Sequence, residues 1–227
     1  MSVSLSVAAK HAPLPWAPVA EADGLELSGV AMHVPADRQI YGEGDEARCF
    51  YKVVSGVVRT CRFLNDGRRQ IDAFHMEGEV FGFEAGADHR MAAEAVSDCT
   101  VIAYRRRGLE TMVFQDDRLG RWFFSHAMTS MEMAREHSLL LGRGSAAQKI
   151  SAFLLEFARR EGCPRPEACE CTVDLAMSRQ DIADYLGLTI ETVSRTLSQL
   201  ERDGVIALPS ARRVTLKDRK ALRALHS

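Results

Sequence analysis

No stretch of the 227-residue chain approaches the ~18 to 20 consecutive apolar residues of a membrane span. The first residues also lack the basic start, apolar middle and small-residue cleavage pattern of a secretory signal. These absences lead us to expect a cytoplasmic protein with no membrane partner. Cysteine is sparse and scattered, six residues at 49, 61, 99, 163, 169 and 171. That spacing excludes the dense framework of a small disulfide-stapled domain, and reduced thiols are expected. No nucleophile–base pair or paired-carboxylate spacing stands out, so an enzyme is not expected. Charge of one sign is missing as well: the net charge is -2 and the pI near 6.4, which over the whole chain points to no polyanionic partner.

The charge picture changes when the chain is divided. Arg179 to Arg223 carries 9 Lys+Arg against 6 Asp+Glu, whereas Met1 to Ser178 carries 20 against 25. A basic C-terminal quarter can steer a module onto a nucleic acid, although a solvated surface reads the same way. With 46% hydrophobic residues the length suits two domains, each with its own core.

Residues 1–30 hold a proline-spaced run, Pro13-Leu14-Pro15-Trp16-Ala17-Pro18, without a period of 2 or 3.6, and read as an extended arm, either a loose tail or a partner-binding segment. Residues 31–108 turn to short β-branched and aromatic runs cut by glycine. Phe50 to Ser55, Val57 to Phe63, Gln70 to Met76 and Thr100 to Tyr104 read as strands. Asn65-Asp66-Gly67 between two of them is a hairpin signal, since these residues tolerate the positive φ of such turns. Short, regularly spaced strands predict an antiparallel β-roll, and the whole an α+β fold.

Residues 109–142 switch to a helical pattern. Leu119, Phe123, His126, Ser130, Met133, His137 and Leu140 alternate in steps of four and three, the spacing of a dimerisation seam against a partner helix. Packing of this face on the chain's own β-roll is the alternative. Gly142 and Gly144 end or kink this helix, and Ile150, Phe153, Leu154 and Phe157 restart the period over Gln148 to Arg160. Gly162-Cys163-Pro164-Arg165-Pro166 reads as a loop within a C-terminal domain of residues 143–227.

The functional signal lies in that domain. Ser178-Arg179-Gln180-Asp181 has a hydroxyl before a first helical turn and a carboxylate three residues later, as capping requires. Ile182 and Leu186 make an apolar stripe, Ala183 permits close helix approach, and Gly187 suits a left-handed turn. Thr189 can cap a second helix whose stripe is Ile190, Val193, Leu197 and Leu200. Two amphipathic helices joined through glycine are a helix-turn-helix pattern.

On the opposite face, Glu191, Ser194 and Arg195 share one patch at i, i+3 and i+4, in the half of a second helix that enters the major groove of double-stranded DNA. Arginine can grip guanine O6 and N7, glutamate can accept from cytosine N4, and serine can serve either. A carboxylate repels phosphate, so its place here favours base reading over mere charge attraction. The alternative is a surface salt bridge between Glu191 and Arg195. Backbone contacts are expected from Ser178, Gln180, Thr189, Thr192 and Ser198, and from Arg212 and Arg213 in a β-wing around residues 205–216.

These residues resemble the Crp/Fnr family of transcription regulators over nearly the whole chain beyond the arm. Ile40-Tyr41-Gly42-Glu43-Gly44-Asp45, Phe50-Tyr51-Lys52-Val53-Val54-Ser55-Gly56 and Gly78-Glu79-Val80-Phe81-Gly82 carry the likeness in the roll, and Arg179-Gln180-Asp181-Ile182-Ala183-Asp184-Tyr185-Leu186-Gly187-Leu188 in the helix-turn-helix. Glu191-x-x-Ser194-Arg195 is similar to the Fnr-type recognition signature, which implies palindromes with TTGA and TCAA half-sites, a homodimer, and activation through contact with RNA polymerase. No cysteine precedes Cys49, so the N-terminal cysteine group that holds an iron-sulfur cluster in Fnr itself is missing. The cAMP-binding members follow a phosphate-holding arginine with a hydroxyl residue, whereas this chain has His89-Arg90-Met91-Ala92-Ala93. Glu84-Ala85-Gly86 and Ala93-Glu94-Ala95 add to a likeness to the cluster-lacking FixK branch, which implies control of micro-oxic and nitrogen-fixation genes without cofactor or small-molecule effector. The alternative is a sensor that binds a cyclic nucleotide or haem in the roll.

Other chemistry is weaker. Cys163, Cys169 and Cys171 lack the paired spacing of zinc sites, so no metal is expected. Cys169 and Cys171 stand just before the DNA-binding helices and are candidates for redox control. His89 and Arg90 read as an exposed loop or the remnant of a phosphate pocket.

Overall fold

The computed structural model describes residues 29–107, 113, 116–163 and 170–226. The expected arm lies outside the described residues up to Ser28, and Gly29 and Val30 already belong to the first strand.

Eight strands form the roll: β1 (Gly29–Val34), β2 (Gln39–Tyr41), β3 (Cys49–Ser55), β4 (Val58–Phe63), β5 (Arg69–His75), β6 (Val80–Phe81), β7 (Ala92–Ala95) and β8 (Cys99–Arg105). They make two antiparallel four-stranded sheets, ordered β1-β8-β3-β6 and β2-β7-β4-β5. Between them lie Val53, Val58, Ala93, Ala95 and Val101, all fully buried, as alternation along the strands demands. Asn65-Asp66-Gly67 forms the β4–β5 turn; Gly67 has φ +83° and donates its amide to the Leu64 carbonyl at 2.9 Å. The sequence reading missed β1, β2, β6 and β7. β1, Gly-Val-Ala-Met-His-Val, straddles the boundary drawn at residue 30, β2 and β6 have three and two residues, and β7 is Ala-Ala-Glu-Ala, a sequence of weak strand preference whose pairing comes from its neighbours β2 and β4.

Helix α1 (Asp117–Arg143) starts where the Asp116 carboxylate accepts the amides of Arg118 and Leu119. Helix α2 (Ala146–Arg160) begins two residues earlier than the periodicity suggested, because Ser145 and Gln148 close a capping box. Among the described residues no helix is long and apolar enough to cross a membrane.

Within one chain, the stripe expected to form the dimer seam on α1 is largely covered. Leu119 is 2% exposed within its own chain, and Phe123 packs edge-on against Phe50 and Phe83, at 5.9 and 5.2 Å between centroids. His126 lies 5.9 Å from Phe83, His137 stacks on Tyr185 at 4.1 Å, and Leu140 packs on the C-terminal core. Ser130 and Met133, from the same stripe, are exposed. The stripe is apolar, as read, but the chain's own roll and C-terminal domain claim most of it. On the opposite side of the helix Phe124, Met128, Met131 and Leu139 are left 70%, 43%, 40% and 76% exposed.

The C-terminal domain is built from β9 (Cys171–Asp174), α3 (Arg179–Leu186), α4 (Ile190–Arg202), β10 (Ile206–Ser210), β11 (Arg213–Leu216) and α5 (Arg219–His226). Its three strands pair antiparallel in the order β10-β11-β9, so the segment before the helices supplies a strand to the wing. Ile150, Leu154, Val173, Ile182, Leu186, Val193, Val214 and Leu222 close the core.

The expectation of reduced thiols fails at one pair. Cys163 and Cys171, with Cα atoms 6.0 Å apart, are joined in a disulfide that ties the end of α2 to β9. Cys171, a candidate for redox control, is one half of this pair, and Cys169 lies outside the described residues. Cys61 and Cys99 are buried thiols pushed up by burial, Cys61 to about 11, which leaves little thiolate to react.

Candidate nucleic-acid interface

Ser178 caps α3 as its position demands. Its hydroxyl accepts the Asp181 amide at 3.1 Å, while the Asp181 carboxylate accepts the Ser178 amide at 3.0 Å and hydroxyl at 2.8 Å. Gly187 ends the helix at φ 61°, ψ 43°, and its amide donates to the Ala183 carbonyl. A Cβ there would meet only Leu141 Cδ2, at an ordinary 3.6 Å, so an alanine suffers from backbone strain rather than collision. We expect Gly187→Ala to cost about 1 to 2 kcal/mol in urea unfolding; an unchanged midpoint would contradict the left-handed turn.

Thr189 caps α4 by accepting the Thr192 amide at 3.2 Å. Val193, Leu197 and Leu200 are 0%, 2% and 3% exposed and fasten the helix to the core. Ile190, read as the first member of that stripe, is instead 38% exposed. Thr189, Ile190 and Glu191 are all exposed, so the first turn overhangs the core, and no neighbour remains to cover Ile190.

Glu191, Ser194 and Arg195 are all exposed on this helix. The Glu191 carboxyl lies below its ordinary range because its own backbone amide and the Thr189 hydroxyl bond to it. No ion pair joins Glu191 to Arg195 among the described residues, so the alternative of a surface salt bridge is not what forms. Of the flanking residues, Gln180 is exposed and bonded to Asp184 at 2.6 Å, and Thr192 and Ser198 are half-buried. In the wing, Arg212 is exposed near the turn between β10 and β11. Arg213 is held by Asp174 in a two-point pair at 2.6 and 3.0 Å, so the two arginines, read as equivalent, differ in what they can release to a phosphate.

The roll interior is filled by stacked rings. Tyr41 lies 3.6 Å from His89 and 5.3 Å from Tyr51, which in turn lies 5.3 Å from Phe81. His89 is 2% exposed, contrary to the exposed-loop reading, and its burial holds the imidazole below its usual pKa. Arg90 is exposed, and its amide donates to Glu84 at 3.0 Å.

Residues 148–225 match the Crp-like helix-turn-helix domain, and residues 31–116 match the cyclic nucleotide-binding domain. The chain belongs to the Crp/Fnr family. It is accordingly a DNA-binding transcription regulator, from a family of regulators rather than enzymes. It is 44% identical, over the full length of both chains, to the nitrogen fixation regulation protein FixK of Azorhizobium caulinodans. It is 43% identical to the protein of the same name from Rhizobium meliloti, over 86% of each chain. The solved structure of FixK2 from Bradyrhizobium japonicum superposes with a TM-score of 0.80 at 42% identity, covering 88% of this chain and 98% of that one.

Proposed function

We propose that this regulator is a homodimeric activator of the FixK type that binds TTGA/TCAA palindromes without an effector and acts on genes of micro-oxic respiration and nitrogen fixation. The observation that carries the reading is the recognition helix: Glu191, Ser194 and Arg195 stand exposed on one patch, with no ion pair between Glu191 and Arg195 to satisfy them internally. Arg195 takes the guanine of TTGA, Glu191 the cytosine paired with it or beside it, and Ser194 the neighbouring base. Ile190, assigned from the sequence to the buried stripe, adds an exposed apolar side chain fit for a thymine methyl. Ser178, Gln180, Thr189, Thr192 and Ser198 surround this patch and serve the sugar-phosphate backbone. The free face of α1 through Phe124, Met128 and Met131 pairs two copies. Their reading helices then fall one DNA turn apart, the spacing of the two half-sites in TTGA-N6-TCAA. Surface loops contact RNA polymerase.

Arg212 serves as the wing's phosphate contact, since Arg213 is already engaged by Asp174. Arg212→Ala is expected to weaken specific and random duplexes alike and to lower the salt slope by about one counterion. A loss confined to the specific duplex would reassign Arg212 to base reading.

The match to a cyclic nucleotide-binding domain favours one second reading, a sensor switched by ligand in the roll. The ring stack of Tyr41, Tyr51, Phe81 and His89 in the roll interior favours the effector-free reading over it. Titrating TTGA-N6-TCAA with and without cyclic AMP separates the two: identical curves support effector-free control, and binding only with nucleotide overturns it.

A further inference from the structure

The roll touches the DNA-binding domain through charge, at a point where the sequence separation exceeds a hundred residues. Arg59 on β4 and Arg69 on β5 reach across to α3. Arg69 donates Nε to Asp184 Oδ2 at 2.8 Å and Nη2 to Asp181 Oδ1 in a short bond. Arg59 donates Nη1 to the same Asp181 oxygen at 3.1 Å and Nε to Glu94 on β7 at 2.9 Å. Gln70 adds an amide bond to the Tyr185 carbonyl at 3.4 Å. The side chains of Arg59, Asp181, Asp184, Arg69 and Glu94 are only 7 to 18% exposed.

Asp181 uses its two oxygens differently. Oδ2 closes the capping box with Ser178, and Oδ1 receives both guanidinium groups. The residue that starts the first helix of the helix-turn-helix is thus also the residue the roll holds. Burial pushes its carboxyl up, and the Ser178 bonds with Arg59 and Arg69 outweigh that and keep it below the usual range. Beside the network, Phe74 packs against Tyr185 at 5.3 Å, and Arg160 of α2 bonds back to the Phe74 carbonyl at 2.6 Å and to Glu79.

Buried ion pairs return little net stability, because desolvation takes back most of the attraction. What they supply is geometry: Arg69 presents a planar fork that fits two carboxylates on one helix face and tolerates little rotation. We infer that Arg59 and Arg69 are positioning residues for DNA recognition, a clamp that fixes the angle of the reading helix to the roll and hence the spacing of half-sites the dimer accepts. In a family whose members carry a ligand-type roll, this clamp does internally what an occupied roll would otherwise have to do. Arg69 touches no base or phosphate in this scheme. It acts through Asp184 and Asp181, then through the Gly187 turn, on α4.

This inference rests on the dimeric reading above, and its test keeps the two apart. Affinity is measured for a single half-site, for TTGA-N6-TCAA, and for the same palindrome with the gap widened by about two base pairs. The wild-type protein should prefer the N6 gap. Arg69→Ala and Asp184→Ala should each reduce that preference by about ten-fold, with single half-site affinity kept within about two-fold. The double variant should fall no further than either single, the signature of one shared interaction. Arg69→Lys, which keeps the charge and loses the fork, should restore the preference part-way and guards against misfolding of the alanine variant. An unchanged gap preference in Arg69→Ala, or an equal loss on the single half-site, would overturn the clamp. A wild-type protein indifferent to the gap would overturn the dimeric reading and the clamp with it.

Discussion

Arg195→Ala should lower affinity for the TTGA palindrome by about 10- to 100-fold while leaving affinity for random duplex within about two-fold. The side chain is exposed and the described residues show it no ion-pair partner, so its removal leaves no hole in the core and no orphaned charge. In the proposed reading, what disappears is a two-point bond to guanine O6 and N7, which a smaller residue or a bound water cannot copy. The salt slope should stay as it was, because no phosphate contact is lost. Discrimination should relax at the guanine position alone, so a set of duplexes changed one base pair at a time reads the result directly. If the variant loses specific and random binding in parallel, Arg195 is a phosphate contact and the base-reading assignment is wrong.

Met128→Glu should convert a dimer into a monomer. Met128 is 43% exposed on the free face of α1, beside Phe124 and Met131, so the fold of one chain tolerates a charge there. In the proposed dimer the same patch meets its own copy across a two-fold axis, and the substitution then buries two carboxylates against each other. Palindrome affinity should fall by about 10²- to 10⁴-fold as the second half-site ceases to be tethered, while single half-site affinity stays unchanged. Sedimentation of the variant should report half the wild-type mass. A Met128→Glu protein that remains dimeric would return the interface to the stripe through Ser130 and Met133.

The helix-turn-helix was legible because its signals are local. Ser178, Asp181, Gly187 and Thr189 act within a few residues of themselves, and all adopt the capping or turn geometry that their types and spacing imply. The Asn65-Asp66-Gly67 hairpin was legible for the same reason. The orientation of α1 was not, since a period of three and four marks an apolar stripe without saying which surface covers it. Leu119, Phe123 and His137 meet their own chain, and the uncovered residues Phe124 and Met128 lay outside the pattern that drew attention. Ile190 shared the period of Val193 and Leu197, but at the end of a helix periodicity outlasts the core. The disulfide and the clamp depend on approach in space. Cys163 meets Cys171 rather than a nearer cysteine, and Arg69 meets Asp184 across 115 positions, a partnership that no local pattern encodes.

The central claim is that α4 reads a base sequence. It is tested most directly by titrating the wild-type protein at one fixed salt concentration against TTGA-N6-TCAA and against a scrambled duplex of the same length and composition. The account predicts binding to the palindrome tighter by at least about 10³-fold, the usual margin of specific over random sites. Equal affinity for the two duplexes would contradict it and remove Glu191, Ser194 and Arg195 from the reading role.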